Sequence, residues 1–123
     1  MESVLGMGGV FFKSRDHKAL AAWYREKLGI PVEVNQTYGV FTSVNPGEMT
    51  NWSTFSSKSD YFGAGEQTFM FNYRVRNLDA MLAQLREAGA KVDDKVEDYG
   101  YGRFGWAYDP EGNRFELWEP KSE

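Results

Sequence analysis

DHKALAAWYREKLG (Asp16–Gly29) and NLDAMLAQLREAG (Asn77–Gly89) decide the fold of this 123-residue chain. Each opens on a side-chain oxygen suited to accept from the first free N–H groups of a helix, and each stops at a glycine. Leu20, Trp23, Tyr24 and Leu28 make one helical stripe, and Leu78, Met81, Leu82 and Leu85 make the other. The closing glycines, Gly29 and Gly89, stand 60 residues apart. The segments C-terminal to the two helices match as well. Ile30-Pro31-Val32 echoes Ala90-Lys91-Val92, and Tyr38-Gly39-Val40-Phe41 echoes Tyr101-Gly102-Arg103-Phe104. The turn Asn45-Pro46-Gly47 echoes Asp109-Pro110-Glu111-Gly112. A plan written twice implies two modules, each too small to bury its own apolar face. The groove between such modules is a natural place for a small molecule.

Working outward from the helices, apolar alternation places strands near 5–13, 31–35, 39–43, 50–56, 68–75, 92–96, 103–108 and 114–118. The first module is expected over about 1–56 and the second over about 68–119. Residues 57–67 (SKSDYFGAGEQ) are polar, glycine-bearing and without period, and read as the linker. The whole is expected to be one α+β domain, with two βαβββ modules.

Composition removes several classes of function. Net charge is −4 and no basic cluster exists, which argues against nucleic acid. There is no cysteine, hence no disulfide, thiol nucleophile or zinc-thiolate site. No apolar stretch reaches the length of a membrane span and no signal peptide is visible, so a cytoplasmic location is expected. Aromatic residues are 16% of the chain, more than one small open barrel readily hides, and a homodimer is expected.

Three motifs carry a resemblance to a known family: Asp16 with Trp23-Tyr24 and Leu28-Gly29; Val75-Arg76-Asn77-Leu78-Asp79; and Asp109-Pro110-Glu111-Gly112-Asn113 with Glu116-Leu117. The chain resembles the vicinal oxygen chelate superfamily, which includes glyoxalase I, extradiol dioxygenases and bleomycin-resistance proteins. The resemblance implies two βαβββ modules forming a half-open barrel, with helices outside and a concave cleft inside. It also implies a divalent metal held by His and Glu. Those positions fall here on Gly9, Met70 and Glu116, with a further one expected at or near Trp52. Only Glu116 is a usable ligand, since glycine offers no side chain and a thioether is too soft for such metals. No metal and no cofactor is therefore expected. His17, the single histidine, reads as a surface residue at the start of helix one, and no Ser-His-Asp set can be built.

Strand parity then proposes a cleft. Phe11, Trp52 and Met70 would supply apolar surface, Asn72 and Glu116 polar groups, with Arg103 nearby. The repeat maps Trp52 onto Glu116, placing them at equivalent points of one groove. Glu116 could bind a cationic ligand, act as a general base, or pair with Arg114, Arg103 or Arg74. The Tyr99-Gly100-Tyr101-Gly102-Arg103 stretch reads equally as a rim over the cleft or as an ordinary strand entry. The leading function is binding of a small organic molecule, as in the bleomycin-resistance branch. The rivals are a lyase, isomerase or dioxygenase-like enzyme using a displaced metal or Glu116, and a non-catalytic ligand-sensing or partner-binding module.

Overall fold

The computed structural model describes residues 1–42, 49–63 and 65–121. The elements run β1 (Gly6–Ser14), α1 (His17–Leu28), β2 (Tyr38–Thr42), β3 (Met49–Ser56), β4 (Phe69–Arg74), α2 (Leu78–Glu87), β5 (Glu97–Tyr99), β6 (Gly102–Tyr108) and β7 (Arg114–Pro120). The class is α+β, as expected. The Asn45-Pro46-Gly47 turn and Ser43 lie outside the described residues. The chain divides into two compact units, Gly8–Met70 and the pair Met1–Met7 with Phe71–Glu123.

In the first of these, β3 pairs in parallel with β1 and antiparallel with β2. In the second, β7 pairs in parallel with β4 and antiparallel with β6, and β6 pairs with β5. The repeat is therefore real at the level of topology. Two details of it differ from the sequence reading. The segments after the helices, expected as strands 31–35 and 92–96, each make only an isolated bridge, Val32 to Gly39 and Val92 to Ala107. The second unit also inserts a β5–β6 hairpin, absent from the first, between Val92 and its bridge partner. That insertion shifts the internal alignment. Gly39 bridges Val32 and faces Trp52, whereas Ala107 bridges Val92 and faces Phe115. Trp52 thus corresponds to Phe115, and Glu116 to Ser53. The echo of Tyr38-Gly39-Val40-Phe41 in Tyr101-Gly102-Arg103-Phe104 is a coincidence of composition, and the mapping of Trp52 onto Glu116, which follows the offset of 64 between Asn45-Pro46 and Asp109-Pro110, slips by one residue. A one-residue slip in a strand reverses every side chain.

Each helix is capped as read. Asp16 accepts from the Ala19 N–H and Asn77 from the Ala80 N–H, both at 3.0 Å. The Glu119 carboxylate accepts from the Leu78 N–H at 2.7 Å, which ties the end of β7 to the start of α2. Leu78, Met81 and Leu82 are buried with Val75 and Leu117, and Leu85, Tyr73 and Phe115 pack around them. Burying such a side chain is worth about 1.5–3 kcal/mol, so this cluster anchors the second unit. The α1 stripe needs correction. Ala21 is the residue fully buried, against Val32 and Trp52, with Tyr24 leaning on Phe12 and Trp52. Trp23 and Leu28 are 49% and 61% exposed. An alanine lets the helix approach β1 and β3 closely, and the inner face centres there, not on Trp23. Residues 57–67, read as a linker, instead carry Phe62, fully buried and edge-on to Phe55.

Candidate functional site

The polar centre of the second unit is one row across three strands. Asn72 on β4 and Trp106 on β6 are each in register with Glu116 on β7. Side chains at registered positions of neighbouring strands stand on one face. Phe115 and Leu117 alternate with Glu116 and pack against the α2 core, so Glu116 points to the face away from α2. Asn72 Nδ2 donates to Glu116 Oε1 at 2.5 Å, and Trp106 Nε1 donates to Oε2 at 2.9 Å. All three residues are buried, at no more than 2% exposure.

Burying a carboxylate is costly unless its oxygens are satisfied, and hydrogen bonds to a charged acceptor contribute about 1.5–3 kcal/mol each. Here both oxygens hold a neutral donor. The charge also fixes the Asn72 amide, because its NH₂ and not its carbonyl must face the carboxylate. The cost falls on Asn72 Oδ1, which is buried and has no hydrogen-bond partner. Such an orphaned acceptor beside a carboxylate is a place where donor groups are wanted.

An aromatic ladder runs along the same face. Phe104, registered with Trp118, stacks on it at 6.1 Å with the ring planes 6° apart. Tyr99 and Tyr101 stack on each other at 5.6 Å, and both meet Phe104 edge-on. The two tyrosines flank the Gly100 turn of the β5–β6 hairpin and are 44% and 66% exposed. The ladder thus descends from an exposed hairpin tip to Trp118, two residues from Glu116. Gly102 is required there: a Cβ at that position would lie 2.4 Å from Trp118 Nε1, which is itself buried without a partner. The Tyr99–Arg103 stretch is the turn of the β5–β6 hairpin, which neither of its two sequence readings named. At its base the Tyr99 hydroxyl donates to Glu97, holding that carboxyl below and the phenol above its ordinary range.

The residues proposed from sequence are only partly brought together. Asn72 and Glu116 meet in a direct hydrogen bond. Met70, also buried, precedes Asn72 by two on β4 and shares its face. Phe11 lies on the side of β1 away from α1, tilted against Phe55 at 5.5 Å. Trp52 is a correction. It packs under α1 with Ala21, Val32 and Tyr24, while Glu116 faces away from α2, as the one-residue slip requires. Arg103 is another. It lies on the α2 side of β6, where its guanidinium donates twice to Asp79 at 3.0 and 3.1 Å. That pair holds the Asp79 carboxyl below its ordinary range. Arg114 is engaged with Asp93 at 2.6 Å and with the Tyr108 hydroxyl. Trp106 was missed, although counting back from the Asp109–Asn113 hairpin brings it opposite Glu116.

A divalent metal of the kind the resemblance implies does not fit these residues. A Cβ on Gly9 would lie 2.7 Å from the Asn51 carbonyl oxygen and 3.1 Å from Phe11, so no ligand side chain can occupy that position without displacing backbone. Both Glu116 oxygens already hold N–H donors. Among the described residues no group of three or more His, Cys, Asp or Glu is placed to hold a metal ion.

Residues 9–118 match the model of the glyoxalase-like domain. No curated protein matches the sequence. Among solved structures, a Streptomyces coelicolor methylmalonyl-CoA epimerase variant in complex with 2-nitronate-propionyl-CoA is similar at a TM-score of 0.76 and 18% identity, over 98% of this chain and 100% of that one. Methylmalonyl-CoA epimerase from Mycobacterium tuberculosis is similar at 0.62 and 23% identity, over 97% and 90%. An NAD-dependent benzaldehyde dehydrogenase from Legionella pneumophila is similar at 0.62 and 14% identity, over 92% and 98%. At these identities the likeness is one of fold, and a fold hosts many chemistries. The family model covers nearly the whole sequence, and the chain belongs to the glyoxalase-like domain family.

Proposed function

We propose that this protein binds a small organic molecule carrying a flat body and a cationic donor group, without the divalent metal of its superfamily. The observation that carries the reading is the buried Glu116 carboxylate beside the unpartnered Asn72 Oδ1. Two adjacent acceptors, one of them charged, favour an ammonium or amidinium group over a neutral or anionic one. The ladder of Tyr101, Tyr99, Phe104 and Trp118 offers stacking surface for the flat part. A cation against an aromatic face adds about 0.5–2 kcal/mol. Trp52 and Arg103 leave the proposal, which rests on residues of the second unit alone. A protein of similar fold holds 2-nitronate-propionyl-CoA, which supports a small organic ligand here. A homodimer remains part of the proposal, motivated by the exposed apolar residues of both units.

The test is calorimetric titration with benzamidine and with benzamide, which share a shape and differ in charge. Benzamidine should bind and benzamide should bind at least about tenfold more weakly, the equivalent of about 1.4 kcal/mol. Glu116→Gln should abolish that preference. Equal affinities for the two probes in the unaltered protein would overturn the reading. So would stoichiometric zinc, nickel, manganese or iron in protein purified without chelator.

A further inference from the structure

An open groove lies in the first unit, at the junction of β1 and α1. Ser14, Arg15, Asp16, Ala19, Leu20, Trp23 and Tyr24 line its volume of about 630 Å³. That volume is in the range of small-molecule sites. The groove exists because α1 approaches its sheet through Ala21 and Tyr24, which turns Trp23 outward. Its apolar wall is continuous with an aromatic cluster. Trp23 meets Tyr24 edge-on at 5.2 Å, Tyr24 meets Phe12 at 6.0 Å, and Phe12 stacks on Phe69, itself 56% exposed.

Charge decides what such a groove would take. Lys13, Arg15, Lys18, Arg25 and Lys27 stand against Asp16 and Glu26 in this stretch, a surplus of three positive charges in a chain of net charge −4. Arg15 is exposed on the lining and makes no ion pair with any described residue. Asp16, the acidic group of the lining, is turned to the helix, where it caps the Ala19 N–H. Its charge is offset there by the positive end of the helix dipole. A half-exposed indole beside a free guanidinium is therefore matched to a flat apolar body ending in an anion.

We infer that this groove binds an aryl carboxylate, with the ring system on Trp23 and Leu20 and the carboxylate on Arg15. The site is independent of Glu116 and of opposite charge preference, so either can fail without the other.

The experiment is a ¹H–¹⁵N titration of the full chain with 2-naphthoate and with 2-naphthamide, tracking the tryptophan indole signals. The Trp23 signal is identified as the one lost in Trp23→Phe. It should move saturably with 2-naphthoate. Arg15→Gln should weaken 2-naphthoate by about two- to fivefold, the range of one exposed ion pair, and leave 2-naphthamide unchanged. Arg15 is exposed, so that variant tests charge without disturbing the core. An unmoved Trp23 signal at millimolar 2-naphthoate would overturn the inference. The same holds if Arg15→Gln has no effect, or if the signals that move are those of the buried tryptophans. A mass in light scattering that falls from dimer to monomer in Trp23→Ser would also overturn it, since the groove would then be covered by a second copy.

Discussion

Replacing Glu116 by Gln separates a structural carboxylate from a functional one. Two charge-assisted hydrogen bonds of about 1.5–3 kcal/mol each stabilise the carboxylate, against a desolvation cost of several kcal/mol for a buried ion. These nearly cancel. In the variant, Oε1 can keep the bond from Trp106 Nε1, and Nε2 can donate to Asn72 Oδ1 once that amide rotates by half a turn. The orphaned Oδ1 would thereby gain a partner, and the orphan would become an Asn72 N–H. Two neutral hydrogen bonds contribute about 0.5–1.5 kcal/mol each, against an amide transfer cost of about 1–3 kcal/mol. Both sums close near zero, so the exchange should change stability by no more than about 2 kcal/mol, or roughly 6–8 °C in melting temperature for a chain of this size. The variant should therefore match the parent to within that range, in urea unfolding and in calorimetry, while losing preference for the cationic probe. A loss of stability beyond about 2 kcal/mol would refute the reasoning, because it would make the carboxylate a structural group first.

Other substitutions test the frame around the site. Gly9→Ala should destabilise by about 1–3 kcal/mol through the contact with Asn51 and Phe11; a neutral result in urea unfolding would show that the β1–β3 register is wrong. Leu82→Ala, in the α2 core, should cost about 2–5 kcal/mol by the same measurement. Asp79 is depressed by Arg103, so its contribution is present above its unfolded value of about 4 and is lost as pH falls through the lower folded value. Asp79→Asn should flatten the acid limb of stability below about pH 4 by no more than the ~1 kcal/mol of an exposed pair, with little change at pH 7. Light scattering at micromolar concentration should return a dimer mass, and a monomer mass would remove the assembly proposal.

Much of the fold was legible because helices announce themselves three ways. Asp16 and Asn77 cap, Leu78, Met81 and Leu82 repeat at helical spacing, and Gly29 and Gly89 stop. Strand existence was nearly as clear, as Phe69 to Arg74 and Arg114 to Pro120 show. Register was not. A period of two carries no marker of which face is which, so the turn echo of Asn45-Pro46 in Asp109-Pro110 set the parity of Trp52 wrongly by one residue. The clue that was present lies in the hairpins. Asp109-Pro110-Glu111-Gly112-Asn113 fixes Tyr108 opposite Arg114, and hence Trp106 opposite Glu116. Trp23 misled for another reason: its size suggested burial, while the small Ala21 marked the face that makes contact. Gly9 offers no ligand atom, and the Asn51 carbonyl 2.7 Å from where its Cβ would stand leaves no room for a histidine there.

The central claim is that Glu116, held by Asn72 and Trp106, receives a cationic group and not a metal ion. The most direct measurement is the Trp106 indole N–H signal, identified by its loss in Trp106→Phe, during titration first with benzamidine and separately with manganese(II). A saturable shift with benzamidine and no selective broadening with manganese is the expected result. Broadening of that signal at equimolar manganese, with benzamidine leaving it unmoved, would contradict the claim.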